Sequence, residues 1–215
     1  MDKHTLEGIS IVFVVGPPGS GKGTQCRRIA EQHGQYHFSV GDYLRELCDP
    51  SVPHVPDAFA GFDPDSLRQT LKARTLVEAG VMVAITKHKL ELEQKSGHTK
   101  FIVDGFPRSD DCAQMFEQEI GRPRSVWLFE CKEEVARDRF VCRNREDGDN
   151  EAMFERWYAE YVRNLLLIRA RYEDLLKVID TNGTKDEAYL ALLAEVEGVW
   201  EHGSRRIPNE ETKSS

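Results

Sequence analysis

The chain of 215 residues lacks several features that would place it in other classes of protein. No apolar run approaches the length of a membrane-spanning helix, and the first ten residues are too polar for a secretory signal peptide. A formal net charge of −8 argues against general binding to nucleic acid, because no broad basic surface is implied. None of the five cysteines forms a CxxC pair, so neither a zinc site nor a redox dithiol is indicated. We therefore expect a cytoplasmic protein with no membrane or nucleic-acid partner.

What the chain does have is an alternation of apolar strand patterns and helical patterns. A hydrophobic content of 40% and a charged content of 31% fit one soluble globular domain. Residues 151–176 have the pattern of one long helix. Helical patterns also separate the predicted strands, which lie at residues 9–15, 36–39, 101–103, 125–130 and 178–180. This alternation predicts an α/β fold in which helices cover both faces of a parallel sheet.

The most informative segment is a glycine-rich turn between the first strand and a helix that Gly34 closes. Such a turn lets backbone N–H groups converge on phosphate oxygens, and the helix dipole favours the anion. Lys22 can then reach the β- and γ-phosphates, although the residue after it is Gly23 rather than the usual Ser or Thr. The alternative is a glycine-rich turn with no ligand. The predicted phosphate site comprises Gly16, Pro17, Pro18, Gly19, Ser20, Gly21, Lys22, Gly23 and Thr24.

A second motif, DGFPR at residues 104–108, directly follows the strand at 101–103. Ligands of parallel sheets bind at the carboxyl ends of the strands, so Asp104 is expected at the same edge as the glycine-rich turn. A carboxylate at that position can hold the water shell of Mg²⁺. The alternative is an aspartate that caps a turn, as Asp-Gly pairs often do.

With a third segment, SVGDYLR at residues 39–45, these motifs resemble the nucleoside monophosphate kinase family, which includes adenylate kinases and UMP/CMP kinases. The resemblance runs from about residue 9 to about residue 186. It implies a three-layer P-loop kinase fold with a central five-stranded parallel sheet in a single domain, residues 1–202, followed by a polar tail, 203–215. Two mobile parts are implied, an arm that holds the monophosphate at about 39–83 and a short lid at about 143–151. It also implies ATP and a nucleoside monophosphate as substrates, Mg²⁺ as MgATP, and a monomer.

The resemblance assigns roles to individual residues. Asp104 matches the carboxylate near Mg²⁺, which it would hold through water, and Arg139 matches the arginine that lies on the donor adenine. Arg139 and Arg143 match the pair of arginines that enters the lid, and Arg143, the second of the pair, meets phosphate and completes the ATP site. The acceptor site is expected at Val40, Arg45, Met82, Val83, Gly105, Arg108 and Cys112. The residues expected to act on the transferred phosphate are Lys22, Arg108, Arg143, Arg145 and Arg156.

The lid and the arm depart from the family pattern. Residues 144–150 are shorter than the lid of UMP/CMP kinases, and Arg145 supplies its first arginine. The second family arginine falls on Trp157, with Arg156 one place earlier. A shift of one residue turns a helical side chain by about 100°. In the arm, residues 48–62 form an inserted loop with three prolines.

The residues that would read the acceptor base favour UMP or CMP over AMP. Adenylate kinases usually have Thr at Val40, and the segment at 128–131 is more similar to UMP/CMP kinases. Cys112 occupies the place of an amide, and a thiol is a poor hydrogen-bonding partner. A UMP/CMP kinase is therefore the leading interpretation, and an adenylate kinase is the first alternative. A P-loop protein that binds nucleotides with weak or no phosphoryl transfer is the second alternative.

Overall fold

The computed structural model describes residues 6–49, 67, 69–70, 77–143, 149–196 and 199–200. Strands and helices alternate along these residues, as the sequence predicts. The named elements are β1 (Ser10–Val15), α1 (Lys22–His33), β2 (Tyr36–Ser39), α2 (Val40–Cys48), α3 (Ala79–Lys95), β3 (Lys100–Asp104), α4 (Asp110–Glu119), β4 (Ser125–Glu130), α5 (Glu133–Cys142), α6 (Glu151–Arg171), β5 (Leu176–Asp180) and α7 (Lys185–Val196).

The strands form a five-stranded sheet in the order β2-β3-β1-β4-β5, and every pairing is parallel. The central strand β1 is apolar along almost its whole length because helices cover it on both sides. Within the register, Asp104 lies opposite both Val14 of β1 and Ser39 of β2. The carboxyl ends of these strands therefore meet at one edge, where β1 continues into the glycine-rich turn. The predicted α/β P-loop kinase fold is confirmed.

The two faces of the sheet carry different cores. Phe13 points to one face and meets the rings of Phe106 and Phe116 at centroid distances of 4.9 and 5.0 Å. Val12 and Val14 point to the other face, where α1 and α7 pack. Alternate residues of one strand thus fill both cores, as expected for a covered parallel sheet.

One predicted boundary is wrong. The helix predicted over residues 151–176 ends at Arg171, and Leu176 already belongs to β5, where it pairs with Val126 of β4. Leu175 and Leu176 pack against the core from a turn and a strand instead of from a helix.

Several predictions fall outside the described residues. These are Arg145, most of the inserted loop at 48–62, the middle of the lid and the tail at 203–215. Among the residues that are described, none of the helices is long and apolar enough to cross a membrane.

Candidate active site

The glycine-rich turn between β1 and α1 requires glycine for packing as well as for backbone conformation. Gly19 and Gly21 have φ angles of 83° and 85°, in the left-handed region that favours glycine. A Cβ atom on Gly19 would lie 2.0 Å from the carbonyl oxygen of Ala136 in α5. The turn is therefore held close to α5, which carries Arg139 and leads to Arg143.

Lys22 bends back over this turn. Its Nζ donates to the carbonyl oxygens of Gly16 at 2.8 Å and Pro17 at 2.7 Å. Desolvation lowers the pKa of the ammonium to about 8, while the carboxylate of Asp104 opposes this shift. The lysine is thus positioned by the turn whose backbone N–H groups would bind phosphate.

Asp104 ends β3 beside Lys22, with its side chain 8% exposed. A Cβ atom on Gly23 would lie 3.3 Å from Asp104 Oδ2, so the glycine after the lysine leaves room for this carboxylate. Both Asp104 and Thr24 line the central cavity. Carboxylate and hydroxyl oxygens suit a hard cation, and these residues therefore fit Mg²⁺.

The two arginines assigned to the acceptor phosphate lie together. A Cβ atom on Gly41 would lie 3.4 Å from Nη2 of Arg108 and 3.7 Å from Nη1 of Arg45. Ser39 fixes the start of α2 by accepting a hydrogen bond from the backbone N–H of Asp42, and Asp42 forms an ion pair with Arg45. β2 and α2 thus bring Arg45 to the same edge of the sheet as Arg108.

Arg108 faces an acidic side chain that sequence reasoning missed. The guanidinium is open to the cavity, but the surrounding wall desolvates it and lowers its pKa, which the carboxylate of Glu160 opposes. Glu160 lies on α6, where burial raises its own pKa and Arg108 opposes that change. Its Oε1 atom is buried and has no hydrogen-bond partner among the described residues. A polar residue within a helix that packs on the core was the only signal for it in the sequence.

The donor-side arginines are fixed by the protein itself. Arg139 donates to the carbonyl oxygens of Thr181 at 2.6 Å and Asn182 at 3.3 Å, and also to that of Gly183. Arg143 lies 4.2 Å above the ring of Phe140 and forms an ion pair with Asp149 at 2.7 Å. Arg139 and Arg143 both line the cavity that holds the glycine-rich turn.

On α6, Trp157 rather than Arg156 faces the cavity. Asn150 caps this helix by accepting a hydrogen bond from the backbone N–H of Met153 at 3.0 Å. With this start, Trp157 contributes to the cavity wall and packs edge-on against Phe140, whereas Arg156 is exposed and does not line the cavity.

The acceptor residues assigned by resemblance divide into two groups. Arg45, Gly105 and Arg108 line the cavity, whose volume is about 690 Å³. Val40, Met82, Val83 and Cys112 are buried in the core and do not line the described part of the cavity. Burial raises the pKa of the Cys112 thiol to about 12. The cavity wall instead includes Val77, Glu160, Tyr161, Asn164 and Ile168.

Comparison with known proteins agrees with this geometry. The adenylate kinase family matches residues 14–177 of the chain. UMP-CMP kinase 1 of Oryza sativa subsp. japonica is 32% identical over 208 residues, which cover 92% of this chain and 79% of that protein. UMP-CMP kinase of Homo sapiens is 30% identical over 189 residues, with coverage of 83% and 92%. UMP-CMP kinase 3 of Arabidopsis thaliana is 33% identical over 181 residues, with coverage of 82% of each chain. The chain therefore belongs to the adenylate kinase family of ATP-dependent nucleoside monophosphate kinases.

Proposed function

We propose that this protein transfers the γ-phosphate of MgATP to a nucleoside monophosphate, with UMP and CMP favoured over AMP. The observation that supports this most strongly is the convergence of Lys22, Asp104 and the pair Arg45 and Arg108 on one cavity. The preference for pyrimidines rests on the relatives, which are UMP-CMP kinases from plants and animals.

The reaction requires alignment of the two phosphates and neutralisation of their negative charge rather than a general base. The acceptor monophosphate already presents an anionic oxygen as the nucleophile, so no proton needs to be removed before attack. In the proposal, Lys22 and the backbone of the glycine-rich turn hold the phosphates of ATP, and Arg45 and Arg108 hold the acceptor phosphate in line with them. Each guanidinium neutralises charge that accumulates as the phosphoryl group moves.

Mg²⁺, when bound with ATP, neutralises charge on the β- and γ-phosphates. Asp104 is the residue that would hold it through water, with Thr24 nearby. The arginine Arg139 would lie on the adenine, where a planar guanidinium can stack. Its three backbone carbonyl partners keep that plane in one orientation.

The mobile parts belong to the same proposal. The arm at about 39–83 would close on the acceptor, and the lid at about 143–151 would bring Arg143 and Arg145 to the phosphates. Arg156, which is exposed before closure, would assist by approaching the phosphates as the lid closes. Closure excludes water, which would otherwise accept the γ-phosphate. We include in the proposal that the enzyme acts as a monomer in the cytoplasm, in line with the family resemblance.

A second candidate is a nucleotide-binding protein with weak or no transfer. The specific observation in its favour is the wall of α6, where Trp157 stands at the family arginine position and Glu160 adds negative charge beside Arg108. Both features reduce the positive charge available to the reacting phosphates.

Coupled turnover with MgATP and each of UMP, CMP and AMP tests the two candidates, provided that ATP binding is measured by calorimetry on the same sample. If the protein is a kinase, ADP formation should depend on the acceptor, and kcat/KM should be larger for UMP or CMP than for AMP. A larger kcat/KM for AMP would replace the acceptor assignment. Tight ATP binding without transfer to any of the three acceptors would establish the second candidate.

A further inference from the structure

A second group of potential metal ligands lies just behind the phosphate site. It consists of Cys26 on α1, His37 on β2 and Asp104 at the end of β3. One ligand atom from each residue lies within 4.8 Å of the other two. His37 Nε2 is 3.4 Å from Asp104 Oδ2. Because each residue comes from a different element of the same packed sheet and helix layer, the fold itself holds the three side chains together.

The donor atoms are a sulfur, an imidazole nitrogen and a carboxylate oxygen, which together suit Zn²⁺ better than Mg²⁺. Zinc bonds of about 2.0–2.3 Å place neighbouring ligands of a tetrahedral site roughly 3.3–3.6 Å apart. The separation of 3.4 Å between His37 and Asp104 already fits this geometry. The sulfur of Cys26 lies within 4.8 Å of the other two ligand atoms, at most about 1.2 Å beyond this range, so binding requires a change in its side-chain torsion.

We propose that Cys26, His37 and Asp104 bind a thiophilic divalent cation of the Zn²⁺ type, at a site that shares only Asp104 with that of the Mg²⁺ carried by ATP. Bonds form from the cation to Cys26 Sγ, His37 Nε2 and one oxygen of Asp104. The thiol proton of Cys26 passes to solvent, and the imidazole binds in its neutral form with its hydrogen on Nδ1. Water from the cavity takes the fourth position, as in zinc sites with three protein ligands.

The cation reaches this site from the nucleotide cavity. Cys26 is fully buried, and the side chains of His37 and Asp104 are only 11% and 8% exposed. Asp104 also lines the cavity, and Gly23 beside it has no side chain to cover its Oδ2 atom. The carboxylate is therefore the point at which a cation first meets the protein.

Occupation of this site has a consequence for catalysis that rests on the proposed function. A dication bonded to Asp104 neutralises the carboxylate and so weakens its hold on the hydrated Mg²⁺ of ATP. A bound dication also removes the negative charge that Asp104 places next to Lys22. Zn²⁺ is therefore expected to inhibit the enzyme in competition with MgATP.

Binding is tested on the full chain without nucleotide, using Co²⁺ as a spectroscopic probe and Zn²⁺ in calorimetry. We expect one saturable site with a thiolate-to-cobalt charge-transfer band, which Zn²⁺ abolishes by displacement. Cys26→Ala and His37→Gln should each lose the band while keeping the circular dichroism of the folded protein. The matched control Cys112→Ala removes a buried thiol outside the cluster and should keep the band. No saturable binding to the wild type, or the same band in Cys26→Ala, would overturn the proposal.

Turnover measurements test the inhibition by Zn²⁺ separately from its binding. With Mg²⁺ in excess, Zn²⁺ should raise the KM for MgATP in the wild type at least tenfold and leave that of Cys26→Ala unchanged. Equal zinc sensitivity in the two proteins would overturn the inhibitory role. A wild type without transfer to any monophosphate would contradict the proposed function, whereas the cobalt spectra would still decide whether the cation binds.

Discussion

The donor side and the acceptor side of the cavity are built in different ways. On the donor side, Gly19 abuts the backbone of α5, Lys22 bonds to its own turn, and Arg139 is fixed by three carbonyl oxygens. On the acceptor side, Arg45 and Arg108 are exposed side chains on helix α2 and a turn, and Glu160 carries a buried oxygen without a partner among the described residues. The backbone of the turn and Arg139 therefore need little reorganisation when the nucleotide binds, whereas the exposed arginines of the acceptor side can adjust to different monophosphates.

The largest expected effect on turnover is on the donor side, for a substitution of Lys22. We expect Lys22→Met to lower kcat by roughly 10²–10³-fold or more, because the lysine contacts phosphates whose charge changes during transfer. The fold should persist, since methionine retains most of the side-chain stem. Steady-state turnover and circular dichroism measure the two effects.

The control for this variant is Lys87→Met, which removes an ammonium from a surface ion pair with Glu119 and should leave turnover unchanged. A folded Lys22→Met protein with turnover near that of the wild type would contradict the assignment of the glycine-rich turn to ATP.

The acceptor side is tested by Arg45→Ala and Arg108→Ala. A charge-assisted hydrogen bond contributes about 1.5–3 kcal/mol, so each variant should lose roughly 10- to 150-fold in kcat/KM for the acceptor. The calorimetric affinity for ATP should change little, because the donor side is held by other residues. Arg122→Ala, which removes a remote arginine paired with Asp174, is the matched control. Unchanged acceptor kinetics in both active-site variants would place the monophosphate elsewhere.

The sequence could predict those parts of the site that are carried by local motifs. The glycine-rich turn and the DGFPR segment are local motifs whose roles depend on backbone geometry, and parallel pairing brings them to one edge of the sheet. The position of Asp104 beside Lys22 followed from that topology, whereas the pairing of Arg45 with Arg108 was expected from the family resemblance. Parallel pairing was sufficient for Lys22 and Asp104, because Asp104 ends β3 and Lys22 begins α1.

The features of α6 depend on contacts that are distant in sequence. Leu175 and Leu176 fit a helical or an extended apolar pattern equally well, and pairing of Leu176 with Val126 decides for the strand. The cap at Asn150 sets the rotation that turns Trp157 toward the cavity, and a count along the sequence left this open. Glu160 could be recognised as a site residue only from the folded structure, which places it near Arg108.

A milder test of the donor side uses pH. The pKa of Lys22 is lowered to about 8, so the ammonium loses its proton as the pH rises through that value. We expect kcat/KM for MgATP to be constant below pH 7 with respect to this group and to be about tenfold lower at pH 9. Lys22→Arg keeps its charge throughout, because arginine does not titrate in this range. Its profile should therefore lack the alkaline decrease, and an identical decrease in both proteins would assign it to another group.

The smallest expected effect is on the acceptor side, at Glu160. Its carboxylate lies near Arg108 and competes with the acceptor phosphate for that guanidinium. Glu160→Gln removes the negative charge and retains the size of the side chain, so the KM for the acceptor should fall roughly two- to fivefold, as expected for a partly screened charge pair. Glu155→Gln, an exposed position on the same helix, is the control and should leave the KM unchanged. An increase in KM for Glu160→Gln would mean that the carboxylate holds Arg108 in its binding position instead of competing with phosphate. In that event, the acceptor side would be pre-organised as strictly as the donor side.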